Sequence, residues 1–191
     1  MAKTDPEAVK REKRKNIQWV ITIFLMTILI SGAISLISDA VMETSGIVVA
    51  FCILMGIIFL GILFDIVGMA VATAEEKPFH SMAARKVPGA QEAIRLLRNA
   101  ERVSSICNDV VGDICGVVSG SASATIAALV LTSMQVAWPR GLSLLMSALV
   151  AGLTVGGKAI GKTIAVKSST QIVHLVGRVI HSISRVSKKK K

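Results

Sequence analysis

The run Thr44–Phe64, TSGIVVAFCILMGIIFLGILF, contains no charged side chain. A helix rises about 1.5 Å per residue, so about 20 residues cross the roughly 30 Å hydrocarbon core of a bilayer. The apolar residues are continuous and do not alternate with polar ones, which argues against a strand of a membrane barrel. This run therefore predicts a membrane-spanning helix.

Three more uncharged runs lie on either side of it: Asn16–Ser38, Ile114–Pro139 and Gly141–Gly157. The first is longer than the core of a cleaved signal sequence and ends without a small-x-small cleavage pattern, so we expect it to be retained. The last is the shortest, but the long side chains of Arg140 and Lys158 can extend from its ends to the polar boundary. The chain is 52% hydrophobic with a mean hydropathy of +0.66. We predict an all-α integral membrane protein with four transmembrane helices, at about residues 17–38, 46–72, 104–135 and 141–160.

The basic residues are concentrated on one side of this arrangement. Four spans place all 22 Lys and Arg residues except Arg140 on the side of the two termini and the middle loop. Cytoplasmic segments carry such an excess, so we predict a multi-pass protein of the cell membrane with both termini in the cytoplasm. Because the net charge of +10 is distributed in this way, we expect it to meet anionic lipid and not nucleic acid. The tail Lys188–Lys191 is the clearest candidate for that contact.

Two segments outside the spans have the pattern of amphipathic helices. In the middle loop, a helix is predicted over residues 89–102, directly after the turn Val87-Pro88-Gly89. It has apolar residues on one face and mainly basic residues on the other. The tail from Ile164 also has one apolar and one basic face, which is typical of a cytoplasmic juxtamembrane helix on the membrane surface. We therefore divide the chain into residues 1–45, with the basic N-terminus, first span and outer loop, residues 46–163 as the main membrane domain, and residues 164–191 as a basic tail.

Three carboxylates are predicted at membrane depth, where an acid is costly unless it faces water, protein or a cation. Asp109 and Asp113 are one helical turn apart and share a face, and Asp65 lies in the second span. Carboxylate, amide and hydroxyl oxygens are ligands that Mg²⁺ prefers. We predict an inward-facing cation site formed by five residues: Asp65, Ser105, Asn108, Asp109 and Asp113. The alternative is that the acids of the third span form ion pairs with cationic neighbours: Arg98, Arg102 or Lys158.

Catalysis and nucleotide binding are not indicated. The segment GGKAIGKT at Gly156–Thr163 has the spacing of a phosphate-binding loop, but that loop needs a strand before it, and here a membrane span precedes it. No Ser/His/Asp, Cys/His or paired-acid arrangement is convincing. The sequence therefore predicts a protein that is not an enzyme and has no cofactor, apart from Mg²⁺ as a bound or transported ion.

Several short motifs between Phe51 and Val179 recur together in one family. They are Val67-Gly68-Met69-Ala70, the segment GAQEAIRLL at Gly89–Leu97, Asn108, and the segment GKAIGK at Gly157–Lys162. The chain thereby resembles the transmembrane domain of the cyclin-M (CNNM) and CorB–CorC family of magnesium and cobalt transport-associated proteins. Gly68 and Lys158 stand where that family has glutamates, and the first span and the absence of the family's paired nucleotide-sensing (CBS) domains set this chain apart. The resemblance implies transport of Mg²⁺ or Co²⁺, or a part in it, and a homodimer.

Two functions follow as hypotheses. The first is a divalent-cation transporter or transport-associated protein, for which Asp65 and the face of Asp109 and Asp113 should converge on one cavity. The second is a non-transporting membrane scaffold that binds a partner protein or anionic lipid. For a scaffold, the acids should face Arg or Lys partners or the membrane boundary.

Overall fold

A computed structural model describes residues 6–44, 46–133 and 138–188, and these residues form helices joined by short connections, with no strand among them. In chain order the elements are α1 (Pro6–Thr44), α2 (Ile47–Thr73), α3 (Lys77–Ala84), α4 (Ala90–Arg98), α5 (Ala100–Ser105), a π-helical segment π1 (Ile106–Gly112), α6 (Asp113–Ser133), α7 (Pro139–Lys167) and α8 (Ser169–Lys188). Gln135, the predicted end of the third span, and the tail residues 189–191 lie outside the described residues.

Four helical stretches of the described residues are long and apolar enough to cross a membrane, the same number that the sequence predicts. They are Ile17–Ser38, Ile47–Thr73, Ala100–Ser133 and Pro139–Lys167. The fourth stretch is longer at its C-terminal end than predicted, since α7 continues past residue 160 to Lys167. Lys162 and Lys167 are therefore helical residues and not part of a loop.

Helix α2 is the centre of the bundle and packs against π1, α6 and α7. In one half, its residues Leu54 and Ile58 are buried with Ile126 of α6 and Val150 of α7. Helix α1 is peripheral: it packs mainly on α6 and exposes most of its large apolar side chains. This exposure suits a bundle surrounded by lipid, where apolar side chains need no protein cover.

The end of the bundle that is formed by the C-terminal parts of α2 and α7 is closed by the short helices and α8. Phe79 of α3 is fully buried in a cluster with Val71 of α2, Ala93 of α4 and Val173 of α8. Helix α4 buries Ala90, Ala93 and Ile94, the apolar face that its sequence predicts. The amphipathic loop helix thus packs against protein as a cap on the bundle.

The helix predicted over residues 89–102 is interrupted at Asn99. There the backbone leaves helical geometry, with φ −116° and ψ 28°, and the side-chain amide of Asn99 donates to the carbonyl of Arg95 at 3.0 Å. An asparagine that bonds its own preceding turn competes with the next backbone hydrogen bond. Helix α4 therefore ends at Arg98, and the third span begins at Ala100.

Helices α4 and α8 are joined by a close backbone contact and a polar pair. Gly89, with φ 87°, and Gly177 approach so closely that a Cβ on either would overlap the backbone of the other segment. One turn further along α8, His181 Nδ1 is 2.9 Å from Glu92 Oε1. The hydrogen bond with His181 is the main reason that the pKa of Glu92 is lowered from its ordinary value of 4.5.

This pair gives a prediction for the pH dependence of stability. A carboxyl whose pKa is lower in the folded state stabilises the fold above its unfolded pKa and loses that contribution as the pH falls through the folded pKa. We expect the wild type to lose more thermal stability than Glu92→Gln when the pH is lowered from neutral to about 3. Unfolding temperatures of both proteins in detergent at each pH test this, and equal losses would rule out the pair as a source of acid sensitivity.

Candidate functional site: an acid–lysine cluster within the spans

The third span is not a uniform α-helix, because residues 106–112 form the π segment. Short π segments widen one turn of a helix and are frequent at functional sites. The amide of Asn108 in this segment lies against Gly68 of α2 so closely that a Cβ at position 68 would overlap it. The space that a side chain at position 68 would fill is thus occupied by the side chain of Asn108.

Asp65 is buried in the same region. Its side chain is only 3% exposed, and two lysines of α7 reach it: Lys158 Nζ is 3.9 Å from Oδ1, and Lys162 Nζ is 3.7 Å from Oδ2. The two lysines are one turn apart on α7, so both extend from the same face. Asp65, Lys158 and Lys162 therefore each have an opposite charge within 4 Å, which offsets the cost of burying a charge in an apolar medium.

Lys158 is the central cation of the site. Its ammonium donates to the carbonyl oxygen of Gly112 in π1 at 3.0 Å and lies 3.4 Å from Asp113 Oδ1. Its side chain is 17% exposed, whereas that of Asp113 is 71% exposed. We refer to Asp65, Gly112, Asp113, Lys158 and Lys162 as the acid–lysine cluster.

The cluster is electrically balanced when all its members are ionised. Two carboxylates, from Asp65 and Asp113, face two ammonium groups, from Lys158 and Lys162. The oxygens around Lys158 come from three helical segments, α2, π1 and α6. A single ammonium group of the chain thus lies among the kind of oxygen atoms that would ligate a hard metal ion.

The structure brings together part of the predicted cation site. Asp65 and Asp113 meet at Lys158, and Asn108 lies next to Gly68, one turn after Asp65. Ser105 and Asp109 instead pair with each other on an exposed surface, where the hydroxyl donates to Oδ2 at 2.8 Å. Among the described residues, no group of three or more His, Cys, Asp or Glu side chains is placed to hold a metal ion.

Lys162 is a member of the cluster that the sequence analysis missed, and Lys158 entered it only as an alternative partner. The available signal was their spacing: two lysines one turn apart, directly after an uncharged run, must share a face if the helix continues. Both were assigned to the inner boundary, because the helix was expected to end near residue 160.

Two buried oxygen atoms near the cluster have no hydrogen-bond partner in the described part of the chain: Asp65 Oδ2 and Asn108 Oδ1. Lys162 is close to the first but too far for a hydrogen bond, at 3.7 Å. Leaving a buried polar atom unpaired costs about 1–3 kcal/mol. These two oxygen atoms can therefore still accept a hydrogen bond or ligate a cation.

A groove between α6 and α7 leads away from the cluster. Its volume is about 490 Å³, and Asp113 and Lys158 lie at one end. Two hydroxyl groups in its wall already have hydrogen-bond partners, since Ser123 and Thr154 donate to carbonyls of their own helices. A Cβ on Gly120 would meet nothing within 4 Å. The groove is therefore an apolar surface in the spanning region and adds no ligands to the cluster.

Comparisons with known proteins add no assignment to this geometry. A scan against protein-family models gives no match, and searches of curated proteins and of solved structures give none either. The resemblance to the cyclin-M and CorB–CorC family, with the transport and the homodimer that it implies, therefore stays a prediction from the sequence motifs.

Proposed function

We propose that this chain is a non-transporting scaffold of the cell membrane, with both termini in the cytoplasm and a basic surface that binds anionic lipid or an acidic partner. The observation that carries the proposal is the position of the Lys158 ammonium, within 3.9 Å of oxygens from Asp65, Gly112 and Asp113. The acids thus face lysine partners, which is the arrangement expected of a scaffold.

Charge balance supports this choice over transport. A divalent ion placed in the neutral acid–lysine cluster would add two uncompensated charges in an apolar region. At a typical effective dielectric constant of about 20, two unit charges 4 Å apart interact by about 4 kcal/mol, so repulsion from both lysines would oppose the ion. Lys158 would have to leave the cluster first, at the cost of leaving Asp65 with Lys162 alone, whose side chain is 47% exposed.

The distribution of charge supports the proposed orientation. The segments with an excess of Lys and Arg are the N-terminal part of α1, the region from α3 to α5, and the region from the end of α7 through α8. With four spans these segments share one side, and the short connection around Arg140 is on the other. A basic side of this kind corresponds to the cytoplasm.

Transport of Mg²⁺ or Co²⁺ remains the second candidate, and a specific observation favours it. Asp65 Oδ2 and Asn108 Oδ1 are buried oxygens without hydrogen-bond partners. Together with Asp113 they are suitable ligands for a hard cation if Lys158 swings out of the cluster. Transport would then be an exchange between the ion and the chain's own ammonium group.

Calorimetry of the purified protein in detergent separates the two candidates. For a scaffold we expect no saturable heat when Mg²⁺ is titrated through the millimolar range, because Lys158 already neutralises the acids. The matched control is Asp65→Asn/Asp113→Asn, which removes both carboxylates of the cluster. Saturable binding to the wild type that this variant abolishes, followed by Mg²⁺ flux in liposomes, would overturn the scaffold and establish transport.

A further inference from the structure

Helix α8 has three distinct sides, of which only one is covered by protein. Val173 is fully buried and Gly177 contacts Gly89, so this side packs against the bundle. His181 bonds Glu92 at the edge of the same side. The other two sides of α8 differ in chemical character, and together they form a surface that the described part of the chain leaves exposed.

The second side is apolar and exposed. Leu175, Val179 and Ile183 are each about one turn apart, so they form a stripe along α8. Their exposures are 61%, 53% and 65%. Packing within the chain already uses a different apolar side of α8, so it does not explain this exposed stripe. The stripe therefore indicates contact with an apolar environment outside the protein.

The third side is basic. Arg178 and Arg185 are exposed and lie beside the apolar stripe. From residue 114 to residue 191 the chain has no Asp or Glu, and nine of its Lys and Arg residues fall between Lys158 and Lys191. Lys158 and Lys162 are paired with acids of the cluster, but α8 itself carries no acid beside Arg178 and Arg185, so its surface is complementary to a negatively charged surface.

The position of α8 indicates that the negatively charged surface it fits is a membrane. Only Ser168 separates α8 from α7, the last helix long and apolar enough to span a bilayer, so α8 starts where that span ends. Its contacts with α4 and α2 keep it at the inner end of the bundle. A helix at that level, with an apolar stripe beside cations, has the form of an interfacial helix on anionic lipid.

We propose that α8 lies in the headgroup layer of the cytoplasmic leaflet and binds anionic phospholipids. The stripe Leu175, Val179 and Ile183 enters the acyl-chain boundary, and Arg178 and Arg185 pair with lipid phosphates. This inference rests on the orientation given for the proposed scaffold and names its partner: an acidic lipid surface in place of an acidic protein.

Site-directed spin labelling of the full chain in vesicles tests the proposal. Cys107 and Cys115 are buried, so replacing the exposed Cys52 with Ala leaves a background suited to labelling. Single variants Leu175→Cys, Val179→Cys and Ile183→Cys then carry a nitroxide on the stripe. Ser184→Cys is the matched control, because Ser184 is exposed and lies on the opposite side of α8. Collisions with oxygen report lipid, and collisions with a water-soluble nickel chelate report water.

In phosphatidylcholine vesicles that contain phosphatidylglycerol, we expect the stripe labels to favour oxygen and the label at residue 184 to favour the nickel chelate. Each cation near an anionic surface contributes about fivefold to binding at low ionic strength. Arg178→Gln/Arg185→Gln should therefore need at least fivefold more phosphatidylglycerol for the same immersion of the label at residue 179, or lose the response.

Two outcomes would overturn the inference. Stripe labels that stay accessible to the nickel chelate in both kinds of vesicle would show that α8 projects into water, available to a protein partner. Immersion that is the same without phosphatidylglycerol and in the arginine variant would show lipid contact without selectivity for anionic headgroups. Neither result bears on Mg²⁺ binding, so a failure here and a failure of the scaffold are separable.

Discussion

Lys158→Met should lower the free energy of unfolding by up to about 3 kcal/mol, the cost of an acid within a membrane that has no cation beside it. The substitution keeps most of the side-chain volume, so the loss comes from charge and not from packing. It leaves the buried carboxylate of Asp65 with only Lys162, whose side chain is 47% exposed. Unfolding of the reconstituted protein in mixed micelles, followed as a function of dodecyl sulfate content, measures the change.

The double variant Asp65→Asn/Lys158→Met should recover most of that loss, since it leaves no buried ion unpaired. The two ions that lose their partners, Lys162 and Asp113, have side chains that are 47% and 71% exposed. Asp113→Asn is the control within the same cluster: its carboxylate is 71% exposed, and an exposed ion pair is worth about 1 kcal/mol or less. If Lys158→Met cost no more than Asp113→Asn, or if the double variant were no better than the single one, Lys158 would not be the partner that stabilises Asp65.

Gly177→Ala should destabilise the junction of α4 and α8 by about 1–3 kcal/mol, the usual cost of forcing extra atoms into a packed contact. The new Cβ would overlap the carbonyl oxygen of Gly89 and lie 3.1 Å from the backbone nitrogen of Ala93. These are backbone atoms, so no side-chain rotation can relieve the overlap. Hydrogen exchange of α8 amides in the reconstituted protein should show faster exchange around Val173 than in the wild type.

Gly156→Ala in α7 is the control for this prediction, because a Cβ there meets nothing within 4 Å. An alanine is about 1 kcal/mol more favourable than glycine inside a helix, so this variant should be neutral or slightly stabilising. Equal protection of α8 in Gly177→Ala and in the wild type would mean that α4 and α8 separate without cost, and that the contact at Gly89 does not hold α8 in place.

The spans were predictable from the sequence because length and absence of charge are enough to define them. All four predicted stretches coincide with long apolar helices of the structure. The interruption at Asn99 was not predictable from periodicity, because the apolar spacing continues across it and only the side-chain bond to Arg95 ends α4. Local chemistry at a single residue decided that boundary.

The candidate site was only partly accessible from the sequence, for a similar reason. The cost of an acid in lipid drew attention to Asp65 and Asp113, and both lie within 4 Å of the Lys158 ammonium. Which cation pairs with these acids depends on the length of α7 and on which face of α7 packs against α2 and α6. Neither property is set by local composition. The π segment, which brings the carbonyl of Gly112 to Lys158, is likewise a product of packing against α2.

The ion pair between Asp65 and Lys158 also bears on how the chain enters the membrane. A ribosome makes α2 before α7, so Asp65 is synthesised before Lys158 exists. If the four apolar helices insert into a bilayer in chain order, the acid must wait, at the insertion machinery or in the lipid, until α7 is made. Completion of α7 then supplies the cation that pairs with Asp65.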